Sequence, residues 1–282
     1  MRKSRCRGKL SLTFRESAIT IKTGTIGERT IMKITYIHHS TFCVEVAGKA
    51  LVFDYYNGKG LPSCEYHGKL PDYPKETQIY VFASHSHRDH FDTEVLSWSR
   101  HYPDIHYIFA KEVKKKLGNS MLKRLGFGEE IKEKITYVKP REKHEILGLT
   151  VETLLSTDSG VAFLVTVGGK VIYHAGDLNW WRWEGETEAF NLYQEATYKH
   201  QIDQLAGRNL DISFVVVDPR QEQDKFLGID YFMQQISSGY VVPMHLWKRY
   251  DLVGEYQSRA NNGQMSRRII LFDRENQSLE LE

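Results

Sequence analysis

Ser84-His85-Ser86-His87-Arg88-Asp89-His90-Phe91 packs three histidines and an aspartate into six positions, an H-x-H-x-D-H pattern. Ahead of it runs Gln78-Ile79-Tyr80-Val81-Phe82-Ala83, a short apolar segment rich in strand formers. Behind it comes Asp92-Thr93-Glu94-Val95-Leu96-Ser97-Trp98, where Asp92 suits the cap of a helix with Val95, Leu96 and Trp98 on its apolar side. The histidines therefore fall on a loop at the end of a buried strand, where rigid scaffolds place chemistry. Neutral imidazoles and carboxylates are the ligands that a zinc-like ion prefers. His85 and His87, two residues apart, face the same way on an extended backbone, and Asp89 and His90 address a second position past the bend. His87-Arg88-Asp89 also mimics the catalytic triplet of protein kinases. That reading requires an asparagine where Glu94 stands, and a D-F-G that never follows, so it is excluded.

The chain has 282 residues, 41% hydrophobic and 26% charged, which is enough for a sizeable core and ordinary for a globular protein. Its longest apolar runs, such as Phe214-Val215-Val216-Val217, are far too short to span a bilayer. Cys6, Cys43 and Cys64 form no C-x-x-C and no even framework, so free thiols in a reducing, cytoplasmic compartment are expected. A net charge of +2 conceals an asymmetry: residues 1–31 carry +6 and the remainder −4. The mildly acidic body gives no general case for nucleic-acid binding. The basic start lacks the apolar stretch of a signal peptide, because Arg15, Glu16 and Lys22 interrupt it. Residues 1–31 read as a dispensable extension, with Met32 as an alternative start, and residues 32–282 as one domain. Homo-oligomerisation is left open.

From Lys33 the pattern gives strands at 34–37, 41–46 and 50–54, the last two joined by a turn at Ala47-Gly48-Lys49. Residues 57–77 read as an irregular loop. Helices are expected at 92–101, 111–117 and 186–206, the last with a stripe of Leu192, Ala196, Ile202 and Leu205, and a short one at 231–236. Strands are expected at 106–109, 135–138, 150–155, 163–167, 170–174, 212–217, 240–242, 268–272 and 279–281. Gly168-Gly169 is the strongest hairpin signal. The recurrent event is a short strand that ends in a ligand-type residue: Asp158, Asp177 and His245 each follow one.

These features resemble the metallo-β-lactamase superfamily: strands, H-x-H-x-D-H, Gly176-Asp177 after a strand, and a late histidine in Val242-Pro243-Met244-His245. His39-Ser40 and Asp54 at the opening strands resemble its lactonase-like and metal-dependent hydrolase branches. The resemblance covers about residues 33–250. It implies an α/β fold, a four-layer αββα sandwich with two mixed sheets, holding metal ions at one edge. Carried over, His85 and His87 would bind a first metal, Asp89, His90 and His245 a second, and Asp177 would bridge both. The family's third ligand of the first metal is a histidine. Asp158 stands in that region here, so two divalent ions, zinc foremost, are expected, with manganese or iron open. His144 and His174 compete for that place, and His174 reads better as a support for a ligand.

The implied reaction is attack on an ester, lactone or phosphodiester by a hydroxide generated at the metals, with Asp89 orienting it. The substrate is expected to be small and anionic, with Arg220 and His39 as candidate substrate contacts. Trp180, Trp181 and Trp183 either wall a pocket or simply pack. A nuclease of the same superfamily, a di-iron redox or sensing protein, and a binding protein with a degraded site are the competing readings.

Overall fold

Period-two alternation between two apolar clusters determines how the layers stack. In the computed structural model, which describes residues 30–61, 64–259 and 267–282, thirteen strands form. They are β1 (Met32–His38), β2 (Thr41–Val46), β3 (Lys49–Phe53), β4 (Gln78–Ala83), β5 (Ile105–Ala110) and β6 (Ile135–Val138). There follow β7 (Lys143–Ile146), β8 (Leu149–Leu155), β9 (Val161–Val167), β10 (Lys170–His174), β11 (Asn209–Val216), β12 (Ser237–Met244) and β13 (Gln277–Leu281). One sheet has the order β13-β1-β2-β3-β4-β5-β6 and the other β12-β11-β10-β9-β8-β7. Both are mixed: β3 to β6 and β10 to β12 run parallel, and the remaining neighbours antiparallel.

Phe42, Val44, Leu51, Phe53, Tyr80 and Phe82 point from the first sheet onto Phe163, Val165, Ile172 and Phe214 of the second. Their alternates Cys43, Ala50, Val52, Ile79 and Val81 point outward to a separate cluster with Val95, Leu96, Val113, Leu117 and Leu122. Strands buried on both faces cannot show a polar alternation, which is why they read as continuous apolar runs. The outward cluster is roofed by 3-10 turns at Thr93–Arg100 and Lys111–Leu117 and by α1 (Asn119–Arg124). The second sheet is covered by α2 (Glu188–Asp203) and α3 (Leu227–Gln235), with α4 (Asp251–Arg259) contributing Leu252 and Val253 to the same core. Helix layer, sheet, sheet, helix layer is the αββα sandwich expected.

Four expectations are corrected. The helices at 93–100 and 111–117 are 3-10, although Asp92 caps the first as predicted, accepting from the Glu94 amide at 2.7 Å. The strand expected at 268–272 reduces to one bridge between Ile269 and Val241, because the segment only brushes the sheet before β13 crosses to β1. The charged edge strand β7, half exposed along its length, carries too little apolar signal to be seen. Of the stripe foreseen here, Ile202 and, just past α2, Leu205 are buried, but Leu192 is 54% exposed and the rest of the buried face is Asn191, Gln194, Tyr198 and Gln201. That face is polar because it fastens loops: Asn191 bonds both backbone groups of Trp183, Gln194 donates to the Thr157 carbonyl, and Gln201 accepts from Leu155. The basic extension lies outside the described residues except for its last two positions.

Candidate metal centre

Every ligand-type residue singled out follows the carboxyl end of a strand: His39 after β1, His85 after β4, Asp158 after β8, Asp177 after β10 and His245 after β12. Carboxyl ends of strands are where open sheets collect their ligands. Asp54, after β3, organises the central loop. Its carboxylate accepts from the Ser84 amide and hydroxyl, both at 2.6 Å, and from His90 Nδ1 at 2.8 Å. Glycines let the loop settle. A Cβ on Gly160, at φ +67°, would fall 1.9 Å from the Ser84 carbonyl oxygen, and one on Gly176, at φ +52°, would strike the Ser84 side chain. Non-glycine residues also sit at positive φ here: His39 at 52°, Asp54 at 48° and His245 at 66°. Backbone held in this region costs about 1–3 kcal/mol per residue, and it concentrates where side chains must be aimed.

The aim can be followed proton by proton. Ser84 spends its hydroxyl proton on Asp54, so it accepts from His85 Nδ1, 2.9 Å away. His90 Nδ1 donates to Asp54, and His245 Nδ1 donates to Asp218 at 2.9 Å. His39 Nδ1 meets the Tyr66 hydroxyl at 3.3 Å. Each of these histidines therefore turns Nε2 to a common centre, and all four Nε2 atoms, with Asp177 Oδ1, are buried without a hydrogen-bond partner. Buried polar atoms are almost always paired, so five such atoms facing one another form a donor set that fits a cation.

The distances divide the centre in two. His85, His87, Asp158 and Asp177 form one group, and His39, Asp89, His90 and His245 another, the ligand atoms of each lying within 4.8 Å of one another. Asp177 lies between them, with Oδ2 at 3.4 Å from His85 Nε2 and Oδ1 at 3.1 Å and 3.5 Å from His90 and His245 Nε2. Asp89 Oδ2 reaches the Nε2 atoms of His39, His90 and His245 at 3.4, 3.7 and 3.7 Å. The first group is open to solvent, since His87 and Asp158, 3.3 Å apart, are 54% and 42% exposed. The second is more enclosed, its histidines buried and Asp89 15% exposed.

Electrostatics points the same way. Burial would raise Asp177 and Asp89, but the surrounding imidazoles outweigh it and hold both carboxyls well below their ordinary range. Burial would likewise depress His245, yet Asp177 and Asp218 bring it up to about 9, and Asp177 and Asp89 raise His90 well above its ordinary value. His39, also buried, is pushed down to about 3 by burial and by His245. A pocket that draws protons onto His90 and His245 is one that demands positive charge, which a divalent ion supplies more effectively.

The sequence-predicted residues converge: His85, His87, Asp89, His90, Asp158, Asp177 and His245 all belong to the two groups. His39 lies among the ligand-type atoms rather than at the rim. His174 uses both nitrogens elsewhere, accepting from the Gly176 amide at 3.1 Å and reaching the Ser40 carbonyl at 2.9 Å, while His144, on β7, pairs with Glu142. Asp218 is the residue that sequence reasoning passed over, although it shares the signal of a carboxylate just after a strand. It accepts from His245 Nδ1, Trp247 Nε1 and Arg220 at once. Arg220 is thus both ion-paired to a local carboxylate and part of the cleft wall.

The two groups open into a cleft of about 410 Å³ that Trp181, Trp183, Phe190, Gln194, Arg220 and Trp247 help to line. Trp180 faces away and carries Lys199 over its ring at 4.4 Å, so it packs rather than walls the cleft. A larger cavity of about 580 Å³ lies between Lys111, Lys114, Lys115 and Val138, without any histidine or aspartate on its wall. The ligand-type residues line the smaller one.

Comparisons agree with the geometry. Residues 33–245 match the family model described as the beta-lactamase superfamily domain. Among solved structures, the chain is similar to Igni18, a metallo hydrolase from the archaeon Ignicoccus hospitalis, at 16% identity and a TM-score of 0.63, covering 90% of this chain and 99% of that one. It is similar to an isothiocyanate hydrolase from Delia radicum gut bacteria at 15% identity and a TM-score of 0.54, covering 88% and 98%. It also resembles the diiron β-hydroxylase CmlA from Streptomyces venezuelae at 16% identity and a TM-score of 0.55, covering 90% of this chain and 55% of that one. At such identities the likeness is one of fold.

Proposed function

The chain belongs to the metallo-β-lactamase superfamily, and on that premise we propose a metal-dependent hydrolase that holds two divalent ions and cleaves a small anionic ester, lactone or phosphodiester. The observation that carries this reading is the set of five buried, unpartnered ligand atoms turned to one centre. His85, His87 and Asp158 would hold the first ion, and Asp89, His90 and His245, with His39, the second; Asp177, which lies between the two groups, would serve both. Bound divalent ions supply Lewis acidity and bring the pKa of water down towards neutrality.

The side chains supply position. Asp54, Ser84 and Asp218 fix the tautomers of His90, His85 and His245, so that Nε2 carries the lone pair. Asp89 turns a single oxygen, Oδ2, towards three imidazoles, which leaves Oδ1 to accept a hydrogen bond from the attacking water and orient it. The walls of Trp181 and Trp183 limit water around the scissile group. The histidine-rich second position suits zinc, while two carboxylates at the first also admit manganese or iron.

A reducing, cytoplasmic setting fits Cys43 and Cys64, which are free thiols. No helix among the described residues is long and apolar enough to cross a membrane.

Chelator-treated protein, the same protein reloaded with zinc, manganese or iron, and His85→Ala are to be compared on a panel of ester, lactone and phosphodiester substrates. The reading expects turnover that chelator removes, metal restores and His85→Ala lowers at least a hundredfold. Metal-independent turnover, or none under any loading, would overturn it.

One observation favours a second reading. The carboxylate at Asp158, where the family's histidine is expected, hardens the first position, and the diiron β-hydroxylase shares the fold. In that case iron loading gives a visible absorption band that responds to oxygen, without hydrolysis.

A further inference from the structure

The cleft wall holds a second set of unsatisfied groups, separate from the ligand atoms. Gln194, on α2, is 6% exposed, and its Nε2 donates to the Thr157 carbonyl at 3.1 Å. A carbonyl can only accept, so this bond fixes which end of the amide is nitrogen. Oε1 is then buried without a partner in a residue that lines the cleft. Among the described residues, Arg220 is the only lysine or arginine on that wall. Asp218 holds its Nε at 3.0 Å and its Nη2, and Trp247 lies beneath the guanidinium at 4.6 Å, while Nη1 makes no hydrogen bond among the described residues. The same cleft is lined by Phe190 and by the rings of Trp181 and Trp183, stacked with centroids 5.7 Å apart and planes 4° apart.

From this arrangement we infer the substrate class: a small anion with an apolar, ring-sized body and an N–H or O–H donor. The anion takes Arg220 Nη1, the body lies on Trp181 and Trp183, and the donor fills Gln194 Oε1. This rests on the hydrolase reading and specifies its substrate. Arg220 belongs to neither group of ligand-type residues, so an anion held there sets the direction in which the substrate lies. A guanidinium already held rigid by Asp218 and Trp247 loses little freedom when it takes an anion. An acceptor that is buried and unpaired selects against ligands without a donor, because they leave it unpaired.

Three probes separate these features on the metal-loaded protein, with cleft tryptophan fluorescence as the readout: N-acetylphenylalanine, its neutral primary amide, and 3-phenylpropanoate, which lacks the N–H. The acid is expected to bind at least tenfold tighter than the amide. Arg220→Gln should remove that preference and Arg220→Lys retain part of it. Gln194→Leu should weaken N-acetylphenylalanine about tenfold and leave 3-phenylpropanoate unchanged. Equal binding of acid and amide would overturn the inference. So would a preference that survives Arg220→Gln but vanishes with chelator, since the carboxylate would then sit on the metal ions. Uniform weakening of all three probes by Gln194→Leu would also overturn it. If the probes discriminate as expected while no ester is hydrolysed under any metal loading, the cleft assignment stands and the hydrolase reading falls.

Discussion

Asp177→Ala is expected to empty both metal positions together and lower hydrolysis about a thousandfold or more, equivalent to about 4 kcal/mol of transition-state stabilisation. Its two oxygens face different groups, Oδ2 towards His85 and Oδ1 towards His90 and His245. Removal deprives each position of a charged ligand and leaves the imidazoles beside a hole. Asp177→Asn is the sharper variant: it keeps the shape, but one oxygen becomes an NH2 group with no lone pair to offer a metal. That variant should retain at most one metal per chain. Metal content and rate measured on the same preparations check both, and an alanine variant that keeps two metals would show that Asp177 does not join the positions.

Asp54 gives the second large effect, and it divides stability from metal affinity. The carboxylate is fully buried and accepts from two groups of Ser84 and from His90. Burial opposes its charge, but the hydrogen bond from His90 and the field of His174 and His90 hold its carboxyl below the ordinary range. Asp54→Ala leaves those donors unpaired in the interior and should destabilise the fold by about 3–5 kcal/mol. Asp54→Asn fills the same space but presents an N–H to groups that already donate. It should fold, with metal affinity reduced about 10–100-fold, because His90 and the Ser84 loop lose their anchor. Thermal unfolding of the metal-free variants and metal titration of the folded ones separate these effects. An alanine variant as stable as the parent would remove Asp54 from its organising role.

The ligand-bearing loop was legible because its information is local: a strand, a bend and the histidines lie within fourteen residues, Gln78–Phe91. The same holds for Asp177 and His245, each just past a short apolar run. What escaped was long-range. The Asp218 carboxylate supports His245 from 27 residues away, and Asp54 supports Ser84 from 30. No spacing rule connects them, and only the packing of neighbouring strand ends brings them together. His39 read as a substrate contact because a lone His-His-Ser after a strand does not reveal that its backbone adopts a φ of 52° and turns the ring inward. α2 misled for a different reason. Hydrophobic periodicity assumes that a buried face is apolar, whereas this helix buries Asn191, Gln194 and Gln201 to fasten the loops that carry Trp183 and Asp158.

The measurement that tests the central claim most directly is elemental analysis of metal per chain, on untagged protein purified without chelator and again after loading and desalting. Two divalent ions per chain are predicted, with His39→Ala and His87→Ala each reducing the count to one, because the two histidines serve different positions. No metal retained after incubation with zinc, manganese and iron would contradict the account, as would a single ion lost equally in both variants.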